Sequence, residues 1–414
     1  MTEGPNGAGI VSRSRNIVLA GHPFAPIGMG EHIRCSFRAF RSIGMKVSLR
    51  DIYGSQGADP DLRSELQNSL VDGFSHDINI FHINGDEVEL VAHHLGGDLP
   101  KDGYNIIYPM WELSKYPKEW AAQLDRFDEI WAPSKFTYES IAPVVLRPVV
   151  HMPLTGQIHF KTFLGRRYFK IPESSFTFLF FFDFTSYVER KNPFAVLQAF
   201  EKLCRLCPAD DLCLVIKVKG GEKQGQDYEK FREYVGRSKS EVIVIDRLLS
   251  DNEIKNLLRS CDCFVSLHRS EGFGLGPITA MFLGKPVVAT AYSANMDFMT
   301  ESNSCLVPYE LRPIPDGAYP FAQGQVWAEP DVDSAVDQMR RLVSDRDYGR
   351  SIGEEACRDI RVHFSDRATG LRYSDRIAEI TTDPVSRTGQ PLQPFQSREF
   401  SRESKHRQSR EAIH

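Results

Sequence analysis

The sequence predicts two doubly wound α/β domains, and three observations lead to this fold class. The chain has 414 residues, which corresponds to two domains at about 100–200 residues per domain. Short apolar runs alternate with amphipathic stretches of helical length, as in the βαβ units of parallel sheets. The alternation starts again after a proline- and glycine-containing stretch at residues 152–156, so each half is expected to form its own sheet.

The first half contains six predicted strands and four predicted helices. The strands are short apolar runs bounded by polar or turn-forming residues. They are Ile17–Ala20, Val47–Leu49, Ile78–His82, Tyr104–Ile107, Glu129–Trp131 and Val149–Met152. The helical patterns lie near residues 31–43, 60–70, 117–126 and 135–142.

The second half repeats the pattern and ends in a different kind of sequence. Its predicted strands are Phe176–Phe182, Leu212–Val218, Val242–Ile245, Cys263–Leu267 and Pro286–Thr290. From Thr381 the chain is polar and has almost no large apolar residues. Such a segment buries too little apolar surface to offset its ordering entropy, so residues 381–414 are expected to form a disordered tail, either solvated or used for interaction.

Composition excludes several classes of protein. With 41% hydrophobic and 25% charged residues, the chain is neither mostly disordered nor a collagen or a coiled coil. A net charge of −5 gives no indication of nucleic acid as a partner. Eight cysteines without a regular framework are typical of reduced thiols in the cytoplasm.

Neither a signal peptide nor a membrane span is expected. The first residues are polar and rich in turn formers, and the first apolar run, Ile17–Ala20, is too short for a signal core. The most apolar run, Phe176–Phe182, is far shorter than the ~20 residues of a spanning helix. We therefore expect a cytoplasmic protein that is soluble, or at most peripheral at the inner face of the membrane.

A glycine-rich turn follows the predicted strand Cys263–Leu267. It runs Glu271-Gly-Phe-Gly-Leu-Gly276, and the helix after it has Pro277 in its first turn and Gly284 at its end. Glycines allow backbone amides to approach a phosphate, and the helix N-terminus adds a partial positive charge. Many α/β folds use such a turn only to pack a helix on a strand, so the turn alone does not identify a ligand.

Neighbouring motifs make this region more specific. Glu-Gly-Phe-Gly-Leu is followed by Ala-Met and then by Gly284-Lys-Pro-Val-Val-Ala-Thr290, and further matching segments lie at residues 28–30, 129–135 and 295–300. Together they resemble the donor site of retaining glycosyltransferases with the GT-B fold, in particular the bacterial type of family 4, glycosyl transferases group 1. The resemblance touches most of residues 16–360.

The resemblance implies two Rossmann-like domains that face a cleft, with the donor bound by the C-terminal domain. It implies transfer of a sugar, with retention of anomeric configuration, from a nucleotide-diphosphate sugar to a glycan or lipid-linked acceptor. The nucleotide sugar is a co-substrate, and neither a metal nor another cofactor is expected. We divide the chain into residues 1–155 on the acceptor side, 156–365 on the donor side, a helix at 366–380 returning to the N-terminal domain, and the tail at 381–414.

The donor site is expected to centre on the glycine-rich turn. Within the resemblance, Glu271 matches the first of two glutamates and lies beside the hydroxyls of the donor sugar. The second glutamate, which holds the ribose hydroxyls, is replaced by Thr279, which has one hydroxyl and no charge. Donor binding is therefore expected to be weaker or altered, with loss of activity as the alternative. The predicted donor-binding residues are Gly272, Phe273, Gly274, Leu275, Thr279, Gly28, Gly30 and Leu248.

Two cations follow the strand Phe176–Phe182. Arg190 and Lys191 precede an amphipathic helix for which Asn192 is the predicted N-cap and Pro193 the first residue. A cation is disfavoured at a helix N-terminus unless an anion is also there, although a solvated charged turn is the alternative. The resemblance implies that these cations hold the donor diphosphate, so Glu271, Lys191 and Arg190 are the predicted catalytic residues.

The first domain supplies weaker candidates. Gly28 and Gly30 follow the first strand and open a helix whose amides are expected to face the cleft. A packing turn or a dinucleotide site is the alternative, but the third glycine of a dinucleotide fingerprint is missing here. Three polar residues lie after strands or near their ends, where ligands collect in open α/β sheets. They are Asn84, Glu112 and His94.

A basic stripe is predicted on the helix that starts near Glu31. Arg34, Arg38 and Arg41 recur at helical spacing beside Ile33 and other apolar residues. Such a stripe is expected to serve for contact with anionic lipid. The alternative is an ordinary helix with a core face and a solvated face.

Other chemistries are weakly supported. Cys204 and Cys207 have zinc-like spacing, but Cys204 falls on an apolar helix face. Asp59-Pro-Asp61 imitates the acidic motif of metal-dependent sugar transferases, yet it precedes a helix that it is placed to cap. Two further readings of the whole chain remain: a non-catalytic GT-B protein that binds sugar or glycan, and a two-Rossmann sugar-nucleotide epimerase or oxidoreductase.

Overall fold

A computed structural model of the chain describes residues 15–54, 59–221 and 225–382. The expectations about the first residues of the chain lie outside these ranges. The same is true of the predicted disordered tail, except that Thr381 and Thr382 are the last residues of a helix.

The first domain is a parallel six-stranded sheet with helices between its strands. Its elements are β1 Ile17–Gly21, α1 Gly28–Ser42, β2 Val47–Asp51, α2 Pro60–Leu66, β3 Ile78–Phe81, α3 Val88–His94, β4 Tyr104–Ile107, α4 Lys118–Leu124, β5 Glu129–Ala132, α5 Lys135–Ile141 and β6 Val149–His151. The strand order is β2-β1-β3-β4-β5-β6, and every neighbouring pair is parallel.

The second domain has a second parallel six-stranded sheet. Its elements are β7 Phe176–Asp183, α6 Val188–Lys191, α7 Pro193–Leu206, β8 Leu212–Lys219, α8 Gly225–Arg237, β9 Val242–Ile245, α9 Asp251–Ser260, β10 Cys263–Ser266, α10 Leu275–Phe282, β11 Val287–Thr290, β12 Cys305–Val307, β13 Tyr309–Pro313, β14 Val326–Pro330, α11 Val332–Ser344, α12 Arg346–His363 and α13 Asp366–Thr382. The order of the sheet is β12-β11-β10-β7-β8-β9, while β13 and β14 form an antiparallel hairpin.

The predicted fold of two doubly wound domains is confirmed. The central strands are apolar because helices cover both faces of each sheet; β7, for example, is buried over its first five residues, Phe176–Phe180. The sequence analysis missed α3, β12 and the β13–β14 hairpin. All five residues of β13 are exposed, so this strand buries no apolar face of the kind that identifies the strands of the two sheets.

The two sheets direct their carboxyl ends toward one another, and we call the space between these edges the cleft. The Lys219 ammonium at the end of β8 donates to the Pro26 carbonyl after β1, at 2.7 Å. The Ser134 hydroxyl after β5 donates to the Gly272 carbonyl after β10, at 2.9 Å. Ligands of open parallel sheets collect at such edges.

Two further segments connect the domains. The last helix, α13, packs against α1 of the first domain, and Arg376 on α13 pairs with the buried Glu129 of β5. Residues 314–325, which we call the strap, join β13 to β14 and reach the first domain. The Gln325 amide oxygen accepts from the Lys115 backbone N–H at 2.9 Å. None of the helices described above combines the length and apolar composition needed to span a bilayer.

Candidate functional site

The glycine-rich turn is built as a tight connection between β10 and α10. Gly274 precedes α10 with φ +96°, a conformation in which a side chain is strained. Phe273 is buried and packs against Phe298 with ring centroids 5.8 Å apart. The Gly272 carbonyl accepts from Ser134 and Thr137 of the first domain. The turn therefore fixes the relative position of the domains as well as the start of α10.

Glu271 begins this turn and carries the predicted central carboxylate. Its backbone N–H donates to the Ser293 hydroxyl at 2.8 Å. Its Oε1 atom lies 2.6 Å from Lys191 Nζ, and its Oε2 atom lies 3.4 Å from Arg190 Nη1. Residues 190, 191 and 271, predicted separately, are thus brought together at the cleft.

Arg190 is buried and lies between two carboxylates, one from each domain. Besides Glu271, its guanidinium lies 3.5 Å from Glu112 Oε1. It donates to the backbone carbonyls of Ser270, at 2.8 Å, and Ser186, at 3.2 Å. These partners hold the cation at a defined position in the facing edges of the sheets.

The local structure around these cations differs from the expectation. Arg190 and Lys191 end the short helix α6, and α7 starts afresh at Pro193. Asn192 is the N-cap residue of α7 and Pro193 its first residue, as predicted. Asn192 has φ +54°, and its side chain makes no capping hydrogen bond to the described residues, because the chain turns through a left-handed residue between the two helices.

Glu271, Lys191, Arg190 and Glu112, which we call the cluster, have charges that reinforce one another. Burial raises the pKa of Glu271, but Lys191 and Arg190 lower it by more, to about 2. Burial lowers the pKa of Lys191, and Glu271 offsets part of this change. For Arg190, burial lowers the pKa, while Glu112 and Glu271 raise it to a value above the ordinary one. Glu271 is therefore a carboxylate at neutral pH, between two basic groups.

The remaining predicted donor residues of the second domain are Leu275, Thr279 and Leu248, and none of the three is fully buried. Leu275 and Thr279, one turn apart on α10, are half-buried, while the three residues between them are buried. Leu248 lies in the loop between β9 and α9 and is 59% exposed. Beside it Arg247 pairs with Glu253 at 2.8 Å. These side chains leave a partly open surface on the second domain.

Gly28 and Gly30 open α1 and differ in their surroundings. A Cβ atom on Gly30 would lie 2.0 Å from the Ala25 carbonyl oxygen, whereas one on Gly28 would have nothing within 4 Å. Gly30 is therefore required by packing. Gly28 is exposed next to Pro26, whose carbonyl is reached by Lys219 of the other domain, so its backbone is open at the cleft.

The predicted lipid-binding stripe on α1 is wrong. Arg34 is buried and donates to the carbonyls of Pro23, at 3.0 Å, and Ala25, at 3.2 Å. Arg38 pairs with Glu31 at 2.8 Å and donates to the Gln157 carbonyl. Only Arg41 of the three is exposed, because the loop before α1 covers Arg34, while residue 157 and the start of α13 cover Arg38.

The three weak candidates of the first domain have different positions. Glu112 joins the cluster through Arg190, and its carboxylate accepts from the Tyr319 hydroxyl of the strap. Asn84 is used within its own domain, where its side chain accepts from the Met110 backbone N–H at 2.9 Å. His94 is exposed at the far end of α3 and packs against Tyr53. Tyr53 follows β2, so His94 lies beside the carboxyl end of that strand and makes no described contact with Glu271, Lys191 or Arg190.

Sequence reasoning missed the residues that reach the cluster from other segments. Ser293, with φ +70°, holds the Glu271 backbone, and Tyr319 contacts Glu112. Neither lies in a recognisable pattern, so only the folded chain shows their role. In the described parts of the chain, no group of three or more His, Cys, Asp or Glu residues is arranged to hold a metal ion.

Known proteins resemble this chain in the sequence of its second domain and in its fold. Residues 169–359 match the family model described as glycosyl transferases group 1. No curated protein sequence matches the chain. Among solved structures, HepE of Anabaena in complex with UDP and glucose is 12% identical, with a TM-score of 0.60, over 88% of this chain and 100% of that one.

Two further structures show the same fold. Sucrose-phosphate synthase from Thermosynechococcus elongatus is 15% identical, with a TM-score of 0.63, over 89% of this chain and 99% of that one. The trehalose-6-phosphate protein of E. coli, bound with UDP-2-fluoro glucose, is 10% identical, with a TM-score of 0.61, over 88% of this chain and 99% of that one. This chain therefore has the GT-B fold, and its second domain matches glycosyl transferases group 1.

Proposed function

We propose that the protein transfers a sugar from a nucleoside diphosphate sugar to an acceptor, with retention of configuration and without a metal ion. The observation that carries this proposal is the contact of Glu271 with Lys191 and Arg190 at the cleft. The match of residues 169–359 to glycosyl transferases group 1 and the UDP and glucose bound to HepE support it.

The cluster supplies the groups that such a donor needs. A diphosphate requires cations, and Lys191 and Arg190 lie next to the open backbone between β7 and α7. The sugar hydroxyls require acceptors, and Glu271 remains ionised to provide them. In the free protein the carboxylate and the Lys191 ammonium neutralise one another, and both are proposed to exchange this contact for the donor.

The proposed reaction relies on electrostatic stabilisation. Breaking the bond between sugar and phosphate places negative charge on the departing diphosphate and positive charge on the sugar ring. Fixed cations stabilise the first charge without transferring a proton, and Glu271 orients the ring. We further propose front-face attack, in which a departing phosphate oxygen helps to deprotonate the acceptor hydroxyl.

The acceptor is proposed to be a glycan or lipid-linked sugar that enters from the first domain. The cytoplasm is the proposed compartment, because all eight cysteines are free and reduced thiols fit a reducing environment. Contact with a membrane is not part of the proposal, since Arg34 and Arg38 are occupied by contacts inside the molecule.

Calorimetric binding of UDP and a panel of nucleoside diphosphate sugars tests the donor site. Lys191→Met should weaken UDP binding by about tenfold or more, the loss that corresponds to about 1.4 kcal/mol. Lys202→Met is the matched control, because Lys202 forms an exposed ion pair with Asp333 on the same domain. Equal binding by both variants, or a response to NAD alone, would contradict the proposal.

Turnover separates an enzyme from a non-catalytic binding protein. Release of UDP from the bound donor should persist in EDTA and fall strongly in Glu271→Gln. Binding that never leads to turnover with any acceptor would instead favour a sugar-binding protein, for which Thr279 is the supporting observation. Retention is read from the anomeric configuration of the product by NMR.

Thr279→Glu tests the ribose contact. The half-buried threonine on α10 lies one turn after Leu275, and a carboxylate there would offer two charged acceptors to the ribose hydroxyls. We expect the variant to bind UDP-sugars more tightly. An unchanged affinity would show that residue 279 does not contact the ribose.

A further inference from the structure

Tyr187 has a backbone conformation that a bulky residue rarely adopts. It lies between β7 and α6 with φ +62° and ψ +94°, and its side chain is 42% exposed. A positive φ is uncommon for a non-glycine residue and is an outlier for a bulky one. Strain of this kind persists where the surrounding structure enforces it, often beside a ligand. Nothing in the proposed donor contacts uses this ring.

The strap supports the Tyr187 ring from one side. Its centroid lies 4.6 Å from that of Tyr319, at an interplanar angle of 51°. Tyr319 is buried, packs on Trp111 of the first domain and donates its hydroxyl to Glu112. The two tyrosines thus form an aromatic surface. The Tyr319 ring is held by contacts with both domains, while the Tyr187 ring is partly exposed.

Carboxylates of the first domain lie near the open ring. Glu112 accepts from the Tyr319 hydroxyl, and the Tyr319 ring packs against Tyr187, so the Glu112 carboxylate lies beside this pair of rings. Burial raises the pKa of Tyr187, and the charges of Asp86 and Glu112 raise it further. Asp86 follows β3 and is exposed, whereas Glu112 follows β4. The charge of Arg190 in the cluster has the opposite effect and lowers the pKa of the Tyr187 hydroxyl. The ring therefore lies between the acidic edge of the first domain and the cations of the second.

An aromatic face next to carboxylates suits one class of ligand. A pyranose ring has an apolar C–H face that packs on an aromatic side chain and an edge of hydroxyls that donate to carboxylates. Binding sites commonly combine such apolar surfaces with a few placed polar groups.

We propose that Tyr187, supported by Tyr319 and flanked by Asp86 and Glu112, is the subsite for the pyranose ring of the acceptor. This inference rests on the proposed glycosyltransferase function and names the residues of the first domain that select its acceptor. The sugar is assigned to the acceptor because Asp86 and Glu112 belong to the first domain, whereas Glu271 belongs to the second.

The test uses Tyr187→Gly, which removes the ring and tolerates the positive φ. The probes are methyl α-glucopyranoside, methyl α-mannopyranoside and methyl β-galactopyranoside, observed by saturation-transfer NMR with UDP present. We expect the full chain to bind at least one glycoside. The affinity of Tyr187→Gly for that glycoside should be lower by about tenfold or more. Asp86→Asn should also weaken it, while Tyr187→Trp should retain it. The melting temperature of Tyr187→Gly should be no lower than that of the wild type, whereas a purely structural ring would lower it.

Phe163→Ala is the matched control. Phe163 is an exposed aromatic residue that packs beside Arg259 near the end of α9, at the opposite edge of the second sheet. Glycoside binding that survives in Tyr187→Gly, or that is absent from the wild type, overturns the subsite. If Tyr187→Gly loses more affinity for UDP-glucose than for UDP, the subsite binds the donor sugar, and its assignment to the acceptor is overturned. If the wild type does not bind UDP at all, this result would instead contradict the proposed function.

Discussion

Arg190 contacts carboxylates of both domains at once. Arg190 lies 3.4 Å from Glu271 of the second domain and 3.5 Å from Glu112 of the first. A buried cation is stable only when its partners compensate for the lost hydration. Each residue of this cluster therefore contributes to the fold as well as to the proposed chemistry, and a substitution affects both.

Glu271→Gln is expected to change how stability depends on pH. The pKa of Glu271 is about 2 in the folded chain, below its ordinary value of 4.5. A lowered pKa stabilises the folded state above pH 4.5, and this contribution disappears as the pH falls toward 2. The shift corresponds to a free energy on the order of 3 kcal/mol.

Urea unfolding of the wild type and Glu271→Gln at several pH values measures this effect. The variant should be less stable at neutral pH, because Lys191 and Arg190 lose their partner, and the difference should shrink in acid. Glu301→Gln, which changes an exposed carboxylate, should show no such trend. A difference that is independent of pH would contradict the assignment.

Gly30→Ala and Gly28→Ala are expected to separate packing from binding. The new Cβ at residue 30 would lie 2.0 Å from the Ala25 carbonyl oxygen, so a loss of about 1–3 kcal/mol of unfolding free energy is expected. At residue 28 the space is open, and stability should stay within about 1 kcal/mol of the wild type. If Gly28 contacts the donor, its variant should nevertheless bind UDP-sugars more weakly.

At the level of elements, α13 is held on the first domain by a buried ion pair. Arg376 Nε donates to Glu129 Oε1 at 3.0 Å, and Glu129 also accepts from Trp131 and Tyr104. The Tyr373 hydroxyl of α13 lies 3.3 Å from those of Ser36 and Tyr108. The last helix thus closes the first domain although it follows the second in sequence.

Arg376→Met is expected to release this helix. Removing one partner of a buried ion pair costs about 3–5 kcal/mol, since the other charge remains buried. Hydrogen exchange in residues 366–382 should accelerate, and the double variant Glu129→Gln with Arg376→Met should recover part of the stability. Unchanged exchange in α13 would show that apolar packing alone holds the helix.

For the molecule as a whole, contacts across the cleft determine the relation of the two domains. The strap carries Tyr319 and Gln325 to the first domain, and the glycine-rich turn receives Ser134 and Thr137. Buried apolar residues of both domains also form common clusters. The facing edges that bear the cluster are therefore held together by contacts on either side of it.

Shortening the strap is expected to loosen this arrangement. Replacing residues 315–324 with Asn-Gly would leave Ile314 and Gln325 joined by a two-residue hairpin turn, since their backbones already pair at 3.1 Å. Small-angle scattering should then show a larger radius of gyration, and turnover should fall. Glu310→Gln, an exposed change in the same hairpin, is the control. An unchanged radius would show that the remaining contacts suffice.

The sequence by itself determined the features that depend on local pattern. Short apolar runs located all six strands of the first sheet and five of the six strands of the second, and the turn at residues 271–276 located the central carboxylate. Pro193 and Gly274 were also readable, because proline and glycine restrict or permit backbone angles wherever they occur.

Only the tertiary structure decided which charges meet and which face inward. Arg34 and Arg38 belong to an amphipathic helix whose polar side is partly covered, because the loop before α1, residues 155–157 and α13 pack on it. The contacts of Glu112 with Arg190 and Tyr319 join segments 78 and 207 residues away in the chain. Such pairings depend on how two sheets and a strap pack together, and no local period in the sequence records that packing.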